Sequence, residues 1–369
     1  MDNRSSMTTR EFLRKEHNNL DLMRLICASM VIVGHSYVLT PAHGQQDVIQ
    51  HLTGFTYSGS LAVKLFFFIS GLLVTNSLLS KQSIPGFLIA RSFRIVPGLL
   101  FVLLAAALVI GPVTSTLPFP DYFGDPQTYR YVLRNLVYRP DYSLPSVFLA
   151  NHYPAAVNGS LWSLPFEVAC YLVLLGVFVV VRTRTVLLNV TIALVLLDTL
   201  LGSHLIMGAL AKNEAVGLLP AIFALGALYA VNQDRLRVSF TIPAVLVVLT
   251  VVLWRTRFSQ LSFALTCCLL LLALSAWKPL LCFRPRYDIS YGIYLWGFLI
   301  QQTLFHFAGP LNVYVFMLAS LLIAFVLGTV SYLAVERHGI RAGRLLDARR
   351  APARSGRVAL PEKHAGSRE

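Results

Sequence analysis

Apolar runs of about 20 residues recur between residues 20 and 335, and this pattern constrains the fold more than any other feature. A helix rises about 1.5 Å per residue, so such a run can cross about 30 Å of hydrocarbon. Of the 369 residues, 56% are hydrophobic and only 13% are charged, whereas a soluble domain carries about 25% charged residues. The chain is therefore predicted to be an all-α, polytopic integral membrane protein.

We predict ten transmembrane spans. They lie near 20–40, 60–79, 96–113, 164–181, 186–202, 215–232, 238–254, 259–277, 288–307 and 312–335. Several of them are short, above all those between 186 and 254. The first run is about as long as a full span and no small-residue cleavage site follows it, which argues against a cleaved signal peptide.

The distribution of basic residues predicts that both termini face the cytoplasm. With that orientation the inside loops carry ten Lys or Arg and the outside loops carry six, as the positive-inside rule requires. The net charge of +14 therefore reflects topology rather than nucleic-acid binding. The predicted organisation is a cytoplasmic segment 1–19, a membrane domain 20–335 with an outer loop at about 114–160, and a cytoplasmic tail 336–369. Because the tail is rich in Ala, Arg, Gly and Ser, we expect it to be solvated, partly disordered and in contact with anionic lipid.

An arginine and a histidine interrupt the first apolar run. Arg24 and His35 are eleven positions apart, which is three helical turns plus about 20°, so they share one helix face and stand roughly 16 Å apart along the axis. An ionisable group at the bilayer centre costs roughly 2.5–3.5 kcal/mol and usually marks function. The alternative is an arginine that extends to the interface and a histidine in the opposite headgroup layer.

Two further polar motifs follow the first span. Ser70 and Gly71 interrupt the second span after three phenylalanines, and the glycine allows a neighbouring helix to approach closely. Arg91 and Arg94 precede the third span, shortly before Pro97. Their spacing puts them on one helix face, where they could bind phosphates, although topology alone also explains basic residues there.

Two more motifs open later spans. Trp162 and Ser163 precede Pro165, which suits a first helical turn, and Glu167 then projects from the outer end of the fourth span. That end should lie in the same leaflet as His35. Tyr291 belongs to a group of hydroxyl and indole side chains at the start of the ninth span, where aromatic packing is the alternative to a ligand cavity.

The outer loop and the cysteines are less informative. Six tyrosines of the loop suit either sugar stacking or an interfacial aromatic belt; they are Tyr122, Tyr129, Tyr131, Tyr138, Tyr142 and Tyr153. The five cysteines show no metal-ligand spacing and lie in or beside apolar runs, so no metal site is predicted.

Taken together, these motifs resemble the acyltransferase-3 family of membrane acyltransferases, which O-acylate bacterial surface polysaccharides. The resemblance covers most of residues 19–335 and rests on five motifs in the expected order. They are Asp21-x-x-Arg24-x10-His35, Phe66-Phe67-x-x-Ser70-Gly71, Arg91-x-x-Arg94-Ile-x-Pro97, Trp162-Ser163-Leu-x-x-Glu167 and Ser290-Tyr291-x-x-Tyr294-Leu.

The resemblance implies transfer of an acyl group, expected to be acetyl, from cytoplasmic acyl-CoA to a hydroxyl of a cell-surface or lipid-linked glycan, with no bound cofactor. His35 would be the general base, and Glu167 would orient it or position the sugar. Arg24, Arg91 and Arg94 would bind the donor phosphates; Ser70, Trp162 and Tyr291 would line the substrate site, and Asp21, Gly71 and Pro97 would support it. We expect a bacterial inner-membrane location and polysaccharide-assembly proteins as partners.

One position departs from the family pattern. Many members carry a histidine after the tryptophan of the ninth-span motif, and this chain has Gly297 there. The role of that histidine is either absent or moved, for example to His306. Three alternatives to surface-polysaccharide acylation stay open: acylation of a small molecule or periplasmic glucan, a transporter or flippase, and a non-catalytic membrane scaffold.

Overall fold

The computed structural model describes residues 6–202 and 214–350, and nearly all regular structure there is helical. The first half contains α1 Thr9–Phe12, α2 Leu20–Leu39, α3 Val48–Thr53, α4 Ser58–Lys81, α5 Ile84–Ala105, α6 Gly111–Thr114, α7 Phe119–Gly124, α8 Pro126–Leu136 and α9 Leu164–Val181. The second half contains α10 Thr185–Leu201, α11 Glu214–Gly217, α12 Leu219–Val231, α13 Thr241–Val252, α14 Ser259–Ser275, α15 Lys278–Leu281, α16 Ser290–Ala308, α17 Val313–Ser331 and α18 Arg337–Arg350.

Each of the ten predicted spans contains one of these apolar helices. Within the described residues, five helical segments are long and apolar enough to cross a membrane: Leu20–Leu39, Ser58–Lys81, Ile84–Thr114, Gly159–Val181 and Val313–Arg350. Four further apolar helices (α10, α12, α13 and α14) are shorter, with 17, 13, 12 and 17 residues. The all-α membrane class therefore fits the structure, whereas the count of ten crossings and their orientation stay predictions.

Helix α4 lies at the centre of the bundle, packed against α12 and α2, while α16 packs against α2 and α17. Small residues permit the closest approach. A Cβ atom on Gly71 would lie 2.0 Å from the carbonyl oxygen of Phe223, and one on Gly226 would lie 2.2 Å from that of Phe68. Interfaces of this kind are typical of helices that associate within a membrane, where close van der Waals contact replaces the hydrophobic effect.

The predicted start of the third span is wrong. Residue 96 lies about one and a half helical turns after Arg91, whereas the helix itself begins before both arginines. Helix α5 begins at Ile84, where the Ser83 side chain accepts a hydrogen bond from the Gly86 amide and a proline occupies the first turn. Arg91 and Arg94 therefore lie inside the helix rather than before it. The helix continues past Pro97 and through one π-helical turn, Ala106–Ile110, to residue 114.

The outer loop is folded, and two of its tyrosines belong to the core. Tyr122 of α7 and Tyr131 of α8 are fully buried, and the Tyr122 hydroxyl donates a hydrogen bond to the Ala107 carbonyl. Burial raises the pKa of Tyr122 to about 12. These two side chains serve neither sugar stacking nor an aromatic belt, whereas Tyr129, Tyr142 and Tyr153 stay exposed.

The prediction of a solvated tail is wrong for its first part. After α17, one π-helical turn, Tyr332–Glu336, leads directly into α18, which packs against α5. Two glycines face α5, since a Cβ atom on Gly339 would lie 2.7 Å from Pro97 and one on Gly343 would lie 2.8 Å from Phe93. The tail is therefore helical and packed against the bundle up to residue 350. The remaining tail, 351–369, lies outside the described residues.

The described N-terminal segment is also docked. Strand β1, Ser6–Thr8, pairs antiparallel with β2, Arg237–Ser239, and the Arg10 guanidinium forms an ion pair with Asp234. Arg284 donates hydrogen bonds to the carbonyls of Lys15 and Asn18. Three segments predicted to be cytoplasmic thus meet at one end of the bundle, as the predicted alternation of spans requires.

Candidate active site

The first apolar run does place its arginine among other charges. The Asp288 carboxylate, just before α16, accepts hydrogen bonds from Arg24 at 2.5 Å and from Arg94 at 2.6 Å. We refer to Arg24, Arg94 and Asp288 as the ion triad. It joins α2, α5 and the start of α16 across 264 positions of sequence.

The electrostatics of the triad favour the ionised carboxylate. Arg24 and Arg94 both donate to this carboxylate, and the Ser290 hydroxyl donates a further hydrogen bond at 2.5 Å. Hydrogen bonds from cations and hydroxyls favour the charged form of a carboxylate. Glu336 lies beside the triad, 1% exposed, and accepts a hydrogen bond from Ser331. The predicted membrane domain ends at residue 335 and therefore does not include this buried carboxylate.

A basic cavity of about 400 Å³ opens beside the triad. Its walls come from α2, α4, α5, α9, α16 and α18. The charged residues that line it are Arg24, Lys81, Arg91, Arg94, Glu167, Arg344 and Asp347. Five cations against two carboxylates give this lining an excess of positive charge, which favours a negatively charged ligand.

Glu167 lies in the wall of the cavity in a short hydrogen-bond network. The Tyr171 hydroxyl, one turn along α9, donates a hydrogen bond to the carboxylate. Ser70 of α4 donates to the same oxygen at 3.3 Å and lies 2.7 Å from the Tyr171 hydroxyl. The Arg91 guanidinium stands 6.0 Å from the centre of the Tyr171 ring. Three predicted site residues, Ser70, Arg91 and Glu167, are therefore brought together around a tyrosine that the sequence did not single out.

A smaller cavity of about 60 Å³ continues inward from the first. Both are lined by Arg24, Glu167 and Tyr291, so these three residues stand at the junction. The Tyr291 hydroxyl donates a hydrogen bond to the Ile95 carbonyl at 2.9 Å. At the far end, the Tyr294 hydroxyl lies 2.5 Å from the Ser163 hydroxyl and donates to the Ser160 carbonyl.

His35 lies apart from both cavities. Its ring meets the edge of Phe298 on α16 at a centroid distance of 5.2 Å, and its Nδ1 atom is buried without a hydrogen-bond partner. Among the described residues, no hydrogen bond joins His35 to Glu167. The expectation that Glu167 orients the imidazole is therefore not met by a direct contact, because Tyr171 and Ser70 hold that carboxylate instead.

The position that lacks the family histidine lies where α16 packs closely against α2. A Cβ atom on Gly297 would lie 2.8 Å from the Ile32 side chain, one turn from His35, so a larger residue there requires Ile32 to shift. His306 is exposed near the end of α16 and packs against Phe148. One turn beyond Gly297, the buried Gln301 donates hydrogen bonds to the Ile32 carbonyl and the Ser36 hydroxyl, both at 2.9 Å.

The remaining predicted residues have structural surroundings. Trp162 packs against Phe166 with the ring centroids 6.0 Å apart and lines neither cavity. Asp21 lies in the first turn of α2, where the helix dipole stabilises a negatively charged carboxylate. Gly71 and Pro97 lie at the contacts of α4 with α12 and of α5 with α18.

Sequence reasoning missed five charged residues of the site: Lys81, Asp288, Glu336, Arg344 and Asp347. Asp288 lies two residues before the motif that begins at Ser290 and could have been found, because Arg24 on the first predicted span requires a counter-ion. No sequence signal joined the tail to the cavity. Within the described residues, no group of three or more His, Cys, Asp or Glu side chains could hold a metal ion.

Comparisons with known proteins agree with the motifs. The acyltransferase domain family model matches residues 17–335. An O-acetyl transferase of Shigella phage Sf6 is 28% identical over 331 residues, covering 87% of this chain and 95% of the relative. Nodulation protein 10 of Rhizobium leguminosarum bv. viciae is 31% identical over 169 residues, covering 42% and 43% of the two chains. No solved structure matches significantly. Because the family model matches residues 17–335, which is most of the chain, and an O-acetyl transferase is similar over 87% of it, the chain belongs to the acyltransferase-3 family and is an O-acetyltransferase.

Proposed function

We propose that this enzyme transfers an acetyl group from acetyl-CoA, on the cytoplasmic side of a bacterial inner membrane, to a hydroxyl of a cell-surface or lipid-linked glycan. The observation that supports this most is the basic cavity, which leads from Lys81 and Arg344 at one end to Arg24 and Glu167 at the other. The donor has phosphates at one end and a thioester at the end of a long arm. The charged part of the cavity suits the phosphates, and the enclosed part suits the thioester.

In this mechanism His35 is the general base. The acceptor hydroxyl gives its proton to the imidazole and attacks the thioester carbonyl, the C–S bond breaks, and the proton returns to the CoA thiolate. Because Nδ1 of His35 is sealed against the protein, the Nε2 edge is the one that accepts the proton. The axial separation of Arg24 and His35, roughly 16 Å, is comparable with the reach of a pantetheine arm.

Glu167 serves the donor end of the same reaction. It stands at the junction of the two cavities together with Arg24 and Tyr291. Held by Tyr171 and Ser70, it has a fixed position from which to orient the thioester or the sugar. In the ion triad, by contrast, Arg24 and Arg94 are partly neutralised by Asp288, so they shape the cavity more than they attract phosphate.

The test is acetyl transfer from labelled acetyl-CoA in membrane vesicles that contain the full chain, together with mass spectrometry of the cell-surface glycans. His35→Ala should abolish transfer at normal membrane abundance, since loss of a general base costs about 10²–10⁴-fold. His51→Ala is the control, because that histidine is exposed on α3 and should leave activity unchanged.

Glu167→Gln should impair transfer without loss of membrane protein, because the amide keeps the volume and removes the charge. Near-normal activity in His35→Ala would contradict the catalytic assignment and would favour a transporter or scaffold. Acetylated small molecules in place of acetylated glycan would keep the reaction and replace the acceptor.

A further inference from the structure

Helix α18 forms part of the cavity wall, although it follows the last predicted span. Ile340, Gly343, Arg344 and Asp347 all line the cavity. Their side of α18 is held against α5 through the two glycine contacts with Pro97 and Phe93. The docking is therefore built into the packing of α5 and does not depend on a flexible tail.

The cations of the cavity fall into two groups. Arg24 and Arg94 both bind Asp288 and are thereby neutralised in part. Within the part of the chain that the structure describes, Arg91 and Arg344 form no ion pair, and Lys81 is paired only with Asp347, at 3.2 Å. The unneutralised charge therefore lies at the mouth, where α18 meets the end of α4.

Asp347 is positioned as an internal competitor for that charge. Its Oδ1 atom would lie 2.5 Å from a Cβ atom on Gly86, so only a glycine at the start of α5 lets the carboxylate come so close. Lys81 and Asp347 are 53% and 28% exposed, so the pair is accessible from solvent. An exposed pair of this kind is weak, because solvent and salt screen it, and a multivalent anion can displace it.

We propose that α18 completes an anion-binding mouth in which Lys81, Arg91 and Arg344 bind the phosphate groups of the donor, with Asp347 holding Lys81 until the phosphates arrive. This inference rests on the proposed function for the identity of the donor. The chemistry alone, a diphosphate or phosphate bound by two guanidiniums and an ammonium, fits two sources, a nucleotide-bearing thioester and an anionic lipid headgroup.

Binding is measured on the purified full-length protein in phosphatidylcholine nanodiscs, with CoA and with inorganic pyrophosphate as separate probes. Arg344→Ala and Lys81→Ala should each raise the Kd for both probes about ten-fold, since each removes a charge-assisted contact. Arg341→Ala is the matched control, because it removes the same charge from the exposed part of α18 and does not line the cavity. Asp347→Asn should lower the Kd about three-fold, because it releases Lys81.

The outcomes separate this inference from the proposed function. If the wild type binds CoA and Arg344→Ala binds it equally well, the mouth is wrong and the donor stands. If the wild type binds pyrophosphate through Lys81 and Arg344 but does not bind CoA, the mouth stands and the donor is wrong. The third arm uses nanodiscs that contain phosphatidylglycerol. If Arg344→Ala differs from wild type in its Kd for the probes only in these nanodiscs, the mouth binds lipid. Binding of neither probe by the wild type, or weaker binding in Asp347→Asn, overturns the proposal.

Discussion

Replacing Asp288 by asparagine should destabilise the protein more than replacing either arginine of the ion triad. The substitution leaves two guanidiniums facing each other without a counter-ion, whereas Arg94→Met leaves Asp288 paired with Arg24. Breaking a buried ion pair from one side costs about 3–5 kcal/mol. Because the three side chains are 24%, 18% and 16% exposed, we expect a cost of about 2–3 kcal/mol for Asp288→Asn.

The assay is thermal unfolding of detergent-solubilised protein, followed by tryptophan fluorescence. A loss of about 2–3 kcal/mol corresponds to roughly 3–4 °C for a chain of 369 residues, because the unfolding entropy is about 2.1 cal/mol/K per residue. The double variant Asp288→Asn with Arg94→Met should be less destabilised than the sum of the two single variants, since it removes one of the unpaired cations. A melting temperature within 1 °C of wild type for Asp288→Asn would refute the argument, as would strict additivity.

Three further substitutions test the helix contacts. Gly297→His should destabilise the protein by about 1–3 kcal/mol, because its Cβ atom would clash with Ile32; melting temperatures of the single variant and of the pair with Ile32→Ala check this. Gln301→Leu should cost about 1 kcal/mol by removing its bonds to α2 and should lower acetyl transfer more than abundance. Lys64→Met should raise stability by about 1 kcal/mol with activity unchanged, because among the described residues the buried ammonium has only the Ser60 hydroxyl as a hydrogen-bond partner.

Each of these three predictions has a contrary result. Ile32→Ala should recover part of the loss in Gly297→His, and no recovery would place the clash elsewhere. Unchanged transfer in Gln301→Leu would separate that amide from the alignment of His35. Loss of transfer in Lys64→Met at normal abundance would make the buried ammonium functional, as ionisable residues within spans often are.

The helices could be predicted because each one carries its own signal. A run of apolar residues determines the length and position of its helix independently of the rest of the chain. The predicted ends differ by two residues or fewer from the observed ends for α2, α4, α9 and α16. The prediction misses the start of α5 because it places the beginning of the span after Arg91 and Arg94. Charges end a span only when they must reach water, and here a cavity and a buried carboxylate receive them.

The site could be predicted only as a set of residue types. Ser70, Arg91, Arg94, Glu167 and Tyr291 all line the basic cavity, as motifs in register indicated. Their partners could not be derived, because a hydrogen bond between α4 and α9 or an ion pair across 264 positions depends on how helices are ordered around one another. Composition misled the prediction for α18, since alanine, arginine and glycine are typical of disordered tails. The decisive feature was the four-residue spacing of Gly339 and Gly343, which puts both on one helix face.

The ion triad also constrains how the protein is made. Arg24 emerges from the ribosome 264 residues before Asp288, which at about 5–20 residues per second is a delay of roughly 13–50 s. During that interval the first span carries a cation without its carboxylate. Water, lipid headgroups or the insertion machinery must hold this arginine until span nine is synthesised. The first helix is therefore among the last helices to reach their final depth in the membrane. A ribosome stalled between these two residues would leave a helix that is inserted but not yet anchored.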